Sequence, residues 1–428
     1  MSSMIMNRLK ALNTSIKVGI VGVGAMGRGL FYQCHISPGI ECVALADINV
    51  EKATSFLQSG GINYRIVDTI EAVNRTVQQG VIAVCEDGDL VAKCTQVDVL
   101  IESSSSISEA AGFAISALES RKHLVLMNAE IDLIFGPYLK SLAHANGVVY
   151  TSCDGDQHGV IKHLVDDLQL WGIDVVMAGN IKGFLDRYAN PTTIIPEADK
   201  RNLDYKMATA YTDGTKLNIE MALLANALGL STDVPGMYGP GAQHVREVFH
   251  LYDLDTLWKE RKPLVDYMLG AEPDGGVFVV GYCAHDYQKK MLQYYKMGDG
   301  PYYLFYRPYH LCHIEAISSI AEAFLYGHSL LEPAYGLRTN VFAYAKRGLR
   351  EGDMLDGIGG YTCYGLIENC PSEGLPSGLP IALADDVRVK RDVGRDERIL
   401  LSDVDYNAGR FDFDLYFKAL LSPKSFLS

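Results

Sequence analysis

Runs of basic residues are missing from this sequence, and acidic residues outnumber basic ones overall. The 428 residues include 38 Lys and Arg against 52 Asp and Glu, which gives a formal net charge of −14. Nucleic acids and acidic membrane surfaces are bound through clustered positive charge. The charge balance therefore argues against both of these partners, and we expect a small-molecule substrate instead.

Long apolar runs and paired cysteines are missing as well. No run approaches the ~18 residues that a membrane span needs, and the N-terminal stretch MSSMIMNRLKALNTSIK lacks the apolar core of a signal peptide. The nine cysteines are scattered, odd in number and without a CxxC pair, which is typical of a reducing compartment. We therefore expect a cytoplasmic protein.

The sequence does have an ordinary globular composition, with 48% hydrophobic and 21% charged residues. A chain of this length exceeds what one core can hold, so several domains are expected. We predict an α/β fold in three parts: a Rossmann-type dinucleotide-binding domain with a parallel sheet over 1–153, an α+β substrate or catalytic domain over 154–344, and a small β-rich module over 345–428.

The first domain is predicted from a glycine motif in its full structural context. The segment KVGIVGVGAMG reads as a β-branched strand ending in a GxGxxG turn, followed by a helix and then a second strand, ECVALAD. Such a turn brings a helix N-terminus to a pyrophosphate, and the acid after the second strand accepts a ribose hydroxyl. Because Asp47 would repel a 2′-phosphate, NAD is favoured over NADP. The predicted cofactor-binding residues of this segment are Gly22, Gly24, Ala25, Met26, Gly27 and Asp47.

The alternation of strands and helices continues after this motif. We predict a strand over 97–106, a helix over 107–122 and a strand over 123–130. Loops at the carboxyl ends of parallel strands line the cofactor crevice, so polar residues there are expected near the nucleotide. For the serines a solvated loop is an equally good interpretation. This places Glu102 near the dinucleotide, together with the further cofactor-binding candidates Ser103, Ser104, Asn128 and Glu130.

Opposite charges cluster in the second domain, in the stretch GNIKGFLDRYANPTT (179–193). The apolar strand before it should deliver Asn180 and Lys182 from a rigid element, and we expect the stretch to form the floor of the active site. Hydride transfer to a carbonyl leaves negative charge on oxygen, so the site needs a proton donor or fixed positive charge. A structural ion cluster is the alternative. The catalytic candidates are Lys182 with Asp186, and Lys216 with Asp213 and Glu220.

Lys216 and Glu220 lie four apart in the predicted helix DGTKLNIEMALLANALGL (213–230), so a solvated ion pair is nearly as good an interpretation. Substrate oxygens or an anionic group are expected to contact Arg187, Asn190, Thr192, Thr193, Arg307 and His310. We also predict a helix from about His310 to Tyr326. The HxxH spacing of His310 and His313 would put both imidazoles on one face of it, with Glu315 after them, so a metal site is conceivable, but we do not predict one.

The last predicted domain contains a faint internal repeat. AKRGLREGDMLDGIGG (345–360) can be aligned with VKRDVGRDERILLSDV (389–404), and both contain a Lys-Arg pair followed by a charged turn. We predict two strand-turn-strand units in tandem, related by approximate internal symmetry.

The sequence resembles NAD(P)-dependent oxidoreductases of the homoserine-dehydrogenase-like superfamily that carry a C-terminal SAF-type β-clip module. Within it, the chain looks most like 1-deoxy-D-xylulose 5-phosphate reductoisomerase-like enzymes. The resemblance rests on GVGAMGRG, MNAEID, CDGDQHG, GNIKGFLDRYANPTT, DGTKLNIEMALLANALG, YRPYHL and AKRGLREGDMLDGIGGY, in this order. Homoserine dehydrogenases carry an acid one turn before the lysine of their catalytic helix; the order here is reversed, which argues against homoserine as substrate.

Three functions follow from these patterns. The main expectation is hydride transfer between a nicotinamide, NAD or NADP, and a small polar, possibly phosphorylated, hydroxy or carbonyl compound. A reductoisomerase reaction is the second; it would need a divalent cation, for which Asp154, Asp156 or Glu130 could supply ligands. A non-catalytic dinucleotide- or sugar-binding protein is the third. In each case we expect a homo-oligomer.

Overall fold

The computed structural model describes residues 2–201, 203–407 and 409–422. The strands are β1 (Ile16–Val21), β2 (Ile40–Ala46), β3 (Tyr64–Ile66), β4 (Ile82–Cys85), β5 (Val99–Glu102), β6 (His123–Leu126), β7 (Tyr150–Ser152), β8 (Asp174–Lys182), β9 (Leu264–Leu269), β10 (Val277–Tyr282), β11 (Tyr302–Arg307), β12 (Thr339–Ala345), β13 (Met354–Asp356), β14 (Cys363–Asn369), β15 (Asp385–Val389) and β16 (Val404–Asp405).

The helices are α1 (Ser2–Lys10), α2 (Ala25–Ile36), α3 (Val50–Ser59), α4 (Ile70–Gln78), α5 (Gly88–Ala92), α6 (Ser108–Glu119), α7 (Ala129–Asn146), α8 (Gln157–Leu170), α9 (Ile195–Arg201), α10 (Tyr205–Thr212), α11 (Thr215–Leu228), α12 (Val248–Leu251), α13 (Leu254–Leu257), α14 (Asp286–Tyr294), α15 (Cys312–Tyr326) and α16 (Phe411–Leu421). Within the described ranges, no helix is long and apolar enough to cross a membrane.

The chain divides into two compact units. The first consists of residues 2–156, 311–332 and 414–422, and the second consists of the described residues of 157–310 and 333–413. Segment 345–413 clusters with the second unit, and the division into three consecutive domains stays a prediction.

The first unit is built on a seven-stranded parallel sheet with the order β3-β4-β2-β1-β5-β6-β7. Its central strands are runs of Val, Ile and Leu that are buried on both faces, as parallel strands between helices must be. The strand order reverses between β1 and β5, and the crevice outside the carboxyl ends of two such strands is where ligands bind in folds of this kind. The predicted α/β fold with a Rossmann-type sheet is confirmed.

The second unit contains a four-stranded mixed sheet with the order β11-β10-β8-β9. Strand β8 pairs parallel to β9 and antiparallel to β10, so both of its edges are hydrogen-bonded. Helix α8 packs on β8 and β10, while α11 packs on α8 and β9. Every residue of α11 up to Ala227 is buried, which makes it the central helix of this unit.

The predicted internal repeat is visible in the hydrogen bonds of the second unit. Leu349 and Val393, which are equivalent in the two copies, exchange both backbone hydrogen bonds at 2.9 Å. Around this pair, each copy donates one further bond to the other at 2.8 Å, from Gly352 N to Val389 O and from Asp396 N to Ala345 O. The two copies are therefore related by an approximate two-fold axis through Leu349 and Val393.

The side chains follow the same symmetry. Arg347 pairs with Asp353 at 3.1 Å, and the equivalent Arg391 pairs with Glu397 at 2.8 Å. The position of Gly352, which has φ 93°, is taken in the other copy by Asp396 with φ 63°. Left-handed backbone is unfavourable for a residue with a side chain.

The unfavourable backbone of Asp396 is offset by its carboxylate. The two oxygens accept hydrogen bonds from the Tyr188 hydroxyl at 2.8 Å and the Tyr364 hydroxyl at 2.9 Å. Asp396 thereby connects the second copy of the repeat to the stretch 179–193.

A buried ion pair ties the first copy to the same stretch. The Lys346 ammonium lies 2.7 Å from the Asp213 carboxylate, and the two side chains are 3% and 0% exposed. The ammonium also donates to the carbonyl oxygens of Ala189 at 2.7 Å and Gly360 at 2.8 Å, so three oxygen atoms surround it. Burial raises the pKa of Asp213, while Lys346 and the bond from Thr215 N favour its charged form.

We predict that Lys346→Met lowers the free energy of unfolding by about 3–5 kcal/mol, because it leaves the Asp213 charge buried without its partner. The matched control is Lys162→Met, which removes the exposed pair with Asp166 and should cost at most about 1 kcal/mol. Chemical denaturation measures both. Adding Asp213→Asn to Lys346→Met should recover part of the loss, and equal effects of the two lysine substitutions would contradict this interpretation.

Candidate active site

The three glycines of the GxGxxG turn have three different environments. Gly22 ends β1 with φ 90°, and a Cβ there would lie 2.5 Å from Ser104 N. A Cβ on Gly27 would lie 1.9 Å from the carbonyl oxygen of Gly22, so α2 packs directly on the turn. Gly24, the N-cap residue of α2, has no atom within 4 Å of its Cβ position and makes no side-chain cap. One glycine makes the turn, one packs the helix, and one leaves open space at a helix N-terminus, as a dinucleotide site requires.

Asp47 follows β2, as predicted, and its carboxylate holds the glycine turn. Its oxygens accept hydrogen bonds from Val23 N at 2.7 Å and Asn49 N at 2.8 Å. A carboxylate offers about four acceptor positions, so these two bonds leave capacity for ribose hydroxyls.

Ser103 also supports the turn. Its hydroxyl lies 3.0 Å from the carbonyl oxygen of Val21 and 2.8 Å from that of Gly22. The interpretation of this serine as part of a solvated loop is therefore wrong, because its hydroxyl is bonded to the end of β1.

Asn128 and Glu130 belong to a helix start and not to a strand. The strand predicted over 123–130 ends at Leu126, because the Asn128 side chain caps α7 by accepting from Ile131 N at 3.3 Å. The Asn128 amide donates to Ser106 O at 2.9 Å, and Glu130 is buried in the first turn of α7. Both remain at the carboxyl edge of the sheet, where they were predicted.

In the second unit, Asn180 and Lys182 share one face of the mixed sheet. Side chains alternate along a strand, so residues two apart point to the same side. Asn180 is opposite Val277 on β10. Further along that side of β10, a Cβ on Gly281 would lie 3.0 Å from Leu168 of α8. This face is therefore the one that α8 covers, and the other face packs on the apolar segment around Trp258.

The amide of Asn180 is unusual because neither of its polar atoms has a hydrogen-bond partner among the described residues. The side chain is 1% exposed. Nearly all buried polar groups are bonded, so an exception calls for an explanation such as a missing ligand or water. The sequence pattern placed Asn180 on a rigid strand without assigning it any chemistry; the signal was an amide within the otherwise apolar run IDVVMAGNI.

Asp186 and Arg187 do not pair with each other among the described residues, and the place of Lys182 in the expected cluster stays a prediction. The Asp186 carboxylate accepts from Tyr188 N at 3.0 Å, which is a local turn contact. The Arg187 guanidinium lies 5.3 Å from the centre of the Tyr364 ring and has neither an ion pair nor a hydrogen bond in the described part of the chain. The side chains of short polar residues often accept hydrogen bonds from nearby backbone N–H groups and so stabilise turns. The Asp186 carboxylate makes such a turn contact and not an ion pair with Arg187.

The other predicted substrate contacts of this stretch also make local bonds. Asn190 accepts from Thr192 N at 3.0 Å and Thr193 N at 3.2 Å, and its own N–H donates to the Thr193 hydroxyl at 2.9 Å. The Thr192 hydroxyl lies 2.9 Å from that of Tyr361. These residues shape the loop, and their role in binding substrate stays a prediction.

Lys216 and Glu220 lie on the buried helix α11, with 7% and 4% of their surfaces exposed. The interpretation as a solvated ion pair is therefore wrong. Asp213, just before α11, is buried in its pair with Lys346, and its catalytic role stays a prediction. A catalytic role for Lys216 and Glu220 stays a prediction.

The HxxH residues do not share a helix face, because α15 begins at Cys312, after His310. His310 Nδ1 lies 2.7 Å from the carbonyl oxygen of Gly275. A Cβ on Gly29 of α2 would lie 2.5 Å from the His313 ring, so this ring packs against a helix. The Arg307 guanidinium lies 4.4 Å from the centre of the Tyr309 ring.

Asp154 and Asp156 are both buried in the first unit. Asp154 Oδ1 accepts from Gly155 N at 2.7 Å, and Asp156 Oδ1 lies 3.8 Å from the Cys312 thiol. Carboxylates are the oxygen ligands that hard divalent cations prefer. Their role as ligands of a divalent cation stays a prediction.

The fold is that of a Rossmann-type α/β protein with a GxGxxG turn at the end of β1. A family model described as "Oxidoreductase DRL, catalytic domain" matches residues 155–316. No curated protein sequence matches the chain. The family match supports an oxidoreductase role and does not determine the substrate.

Several solved structures are similar to parts of this chain. Myo-inositol dehydrogenase from Lactobacillus casei, in complex with NAD(H) and myo-inositol, is 18% identical, with 44% of this chain and 54% of that chain covered and a TM-score of 0.28. 1-Deoxy-D-xylulose 5-phosphate reductoisomerase from Zymomonas mobilis, in complex with NADPH, is 14% identical, with 49% of this chain and 57% of that chain covered and a TM-score of 0.33. DOX-P reductoisomerase in complex with magnesium is 13% identical, with 74% of this chain and 70% of that chain covered and a TM-score of 0.39. The chain thus spans about half the length of the first two of these proteins. The SAF-type module and the homoserine-dehydrogenase-like relationship stay predictions.

We predict that Asn180→Leu raises the melting temperature of the ligand-free protein. Leucine is close to asparagine in shape and removes two unsatisfied polar atoms, each of which costs about 1–3 kcal/mol when buried without a partner. The matched control is Asn218→Leu, which should be destabilising because that buried amide is bonded to Gly214 O and Ile367 N. A fall in melting temperature for Asn180→Leu would mean that the amide is already bonded, for example to an ordered water.

Proposed function

We propose that this protein is an NAD(P)-dependent oxidoreductase that transfers hydride between a nicotinamide and a carbonyl or hydroxyl carbon of a small anionic compound. The observation that carries the proposal is the open space at Gly24, at an uncapped helix N-terminus, beside two glycines that leave no room for a side chain. Free N–H groups and the positive end of the helix dipole would bind a pyrophosphate there.

The carboxylate of Asp47 supports NAD over NADP. Its remaining acceptor positions suit ribose hydroxyls, whereas a 2′-phosphate would bring negative charge next to a carboxylate that two backbone N–H groups hold in place. This preference is part of the proposal.

An anionic substrate is supported by Arg187. Its guanidinium is half-buried over Tyr364 without a carboxylate among the described residues, and such a group binds a carboxylate or phosphate through paired hydrogen bonds. The compound's reacting oxygen would lie at Lys182, which extends from the same strand as Asn180.

When bound, the reduced nicotinamide supplies a hydride to the substrate carbon. The charge that then develops on the substrate oxygen is stabilised by the Lys182 ammonium, which can also donate the proton that completes the alcohol. The unbonded amide of Asn180 can donate two N–H groups to a neighbouring oxygen of the substrate, and its carbonyl oxygen can accept from a substrate hydroxyl.

Nucleotide binding is the direct test. We expect NADH to bind to the wild-type protein more tightly than NADPH, and we expect Gly24→Val to weaken NADH binding by at least about tenfold, or 1.4 kcal/mol, with little change in melting temperature. Titration followed by nicotinamide fluorescence measures both. The control is Gly112→Val, another glycine with open space at its Cβ position; wild-type protein that binds neither nucleotide would end the proposal.

Turnover tests the catalytic residue. With a substrate found among sugar phosphates and hydroxy acids, Lys182→Met should reduce turnover by at least about 100-fold, the usual effect of losing one electrostatic or acid–base group, while NADH affinity stays unchanged. The control is the exposed Lys259→Met. Unchanged turnover would remove Lys182 from the mechanism, and absence of turnover with every compound, despite NADH binding, would favour the non-catalytic alternative.

The metal-dependent alternative is favoured by one observation, the two buried carboxylates of Asp154 and Asp156. A divalent cation bound there would hold a ketone and a neighbouring hydroxyl oxygen together during a rearrangement. In the same turnover experiment, activity on 1-deoxy-D-xylulose 5-phosphate that disappears with a chelator would support it.

A further inference from the structure

Glu102 is a buried acid at the point where the strand order of the first unit reverses. It is the last residue of β5 and is 0% exposed. Its neighbours in register are Val21 at the end of β1 and Leu126 at the end of β6, and neither can neutralise a charge. A carboxyl group in this position is therefore expensive to ionise unless something else bonds to it.

Only half of this carboxyl group is bonded in the structure. Oε1 accepts from Ser104 N at 2.9 Å, whereas Oε2 has no hydrogen-bond partner within hydrogen-bonding distance among the described residues. Ser104 N is also the atom closest to the Cβ position of Gly22, at 2.5 Å. Ser104 N thus contacts both the Glu102 carboxyl group and the Gly22 turn, so the carboxyl group lies close to this turn.

The charged and polar groups that act on Glu102 come from two segments. Burial is the largest effect and raises the pKa of Glu102 to about 7. The polar groups of Ser104 and the nearby Asn128 amide lower the pKa, and the negative charge of Glu130 on α7 raises it further. Glu102 is therefore protonated at a higher pH than an ordinary glutamate.

A dinucleotide would shift this balance in one direction. Its pyrophosphate adds negative charge near the turn, and its nucleoside displaces water from the crevice; both effects favour the neutral form of a nearby carboxyl group. A protonated carboxyl can donate a hydrogen bond through one oxygen, for which a ribose hydroxyl or an amide carbonyl is a suitable acceptor.

We propose that Glu102 is a nucleotide-contacting residue whose free oxygen Oε2 bonds to the nucleoside next to β5, and that it takes up a proton as the nucleotide binds. This inference rests on the proposed function, since it needs a nucleotide at the glycine turn. It assigns to the site a proton linkage that the GxGxxG motif does not imply.

The linkage has a fixed sign. Because the bound state holds more protons than the free state, NADH affinity is constant at low pH and falls as pH rises through the range where free Glu102 ionises. The steepest possible fall is about tenfold per pH unit, the limit for one proton.

The experiment is a titration of the full-length protein with NADH at pH values from about 6 to 9, a range chosen around the value near 7. We expect the dissociation constant of the wild-type protein to rise with pH and that of Glu102→Gln, which keeps a donor but cannot ionise, to stay flat. The matched control is Glu119→Gln, the same change on the exposed end of α6, which should follow the wild-type profile.

A second measurement does not depend on a variant. Calorimetry of NADH binding to the wild-type protein, in two buffers with different ionisation enthalpies near pH 7.5, counts the protons taken up, and we expect a value between zero and one. No proton uptake, or a Glu102→Gln profile that matches the wild type, would overturn the inference while leaving the proposed function intact. Failure of the wild-type protein to bind NADH at all would overturn the proposed function itself.

Discussion

The buried ammonium of Lys346 is the interaction on which the second unit depends. It bonds to Asp213 at the start of α11, to the end of the stretch 179–193 through Ala189, and to the turn before β14 through Gly360. A lone charge in this position would be very costly, and the three partners make it tolerable only when all are in place. The helix, the loop and the repeat are therefore fixed relative to one another by one charge.

The candidate site stands out against this background because most polar groups around it are bonded. Asn218 and Asn226 on α11 are buried amides whose oxygens accept backbone N–H groups of β14 and β12. Asp266 on β9 accepts from three backbone N–H groups. Asn180 lacks a partner at both of its polar atoms, and Glu102 lacks one at Oε2, among the residues that the structure describes. These are buried polar atoms that a ligand could bond to.

Much of the first unit could be predicted from sequence, because its signals are local. A β-branched run, three glycines at fixed spacing and an acid after the next strand specify a strand, a turn and a helix without reference to the rest of the chain. Asn128 shows the limit: a short apolar strand followed by polar residues leaves its end undecided until the capping bond is seen.

The second unit was less predictable because its decisive contacts join distant residues. Nothing close to Asp213 in sequence indicates that its partner is Lys346, and Asp186 was assigned to a charge cluster when its carboxylate in fact closes a turn. The HxxH spacing assumed a continuous helix, whereas α15 starts two residues after the first histidine. Sequence spacing gives reliable geometry only inside an element whose ends are known.

The two-fold exchange of backbone bonds around Leu349 and Val393 has a consequence for how the chain folds. Each copy closes a turn of its own, but the bonds around Leu349 and Val393 join N–H and C=O groups that lie far apart along the chain. The first copy must wait until the second has been brought to it, and the loop-closure entropy is lost before any of these bonds forms. A chain truncated between the copies would therefore leave the backbone groups of Leu349, Gly352 N and Ala345 O without the partners that the second copy supplies.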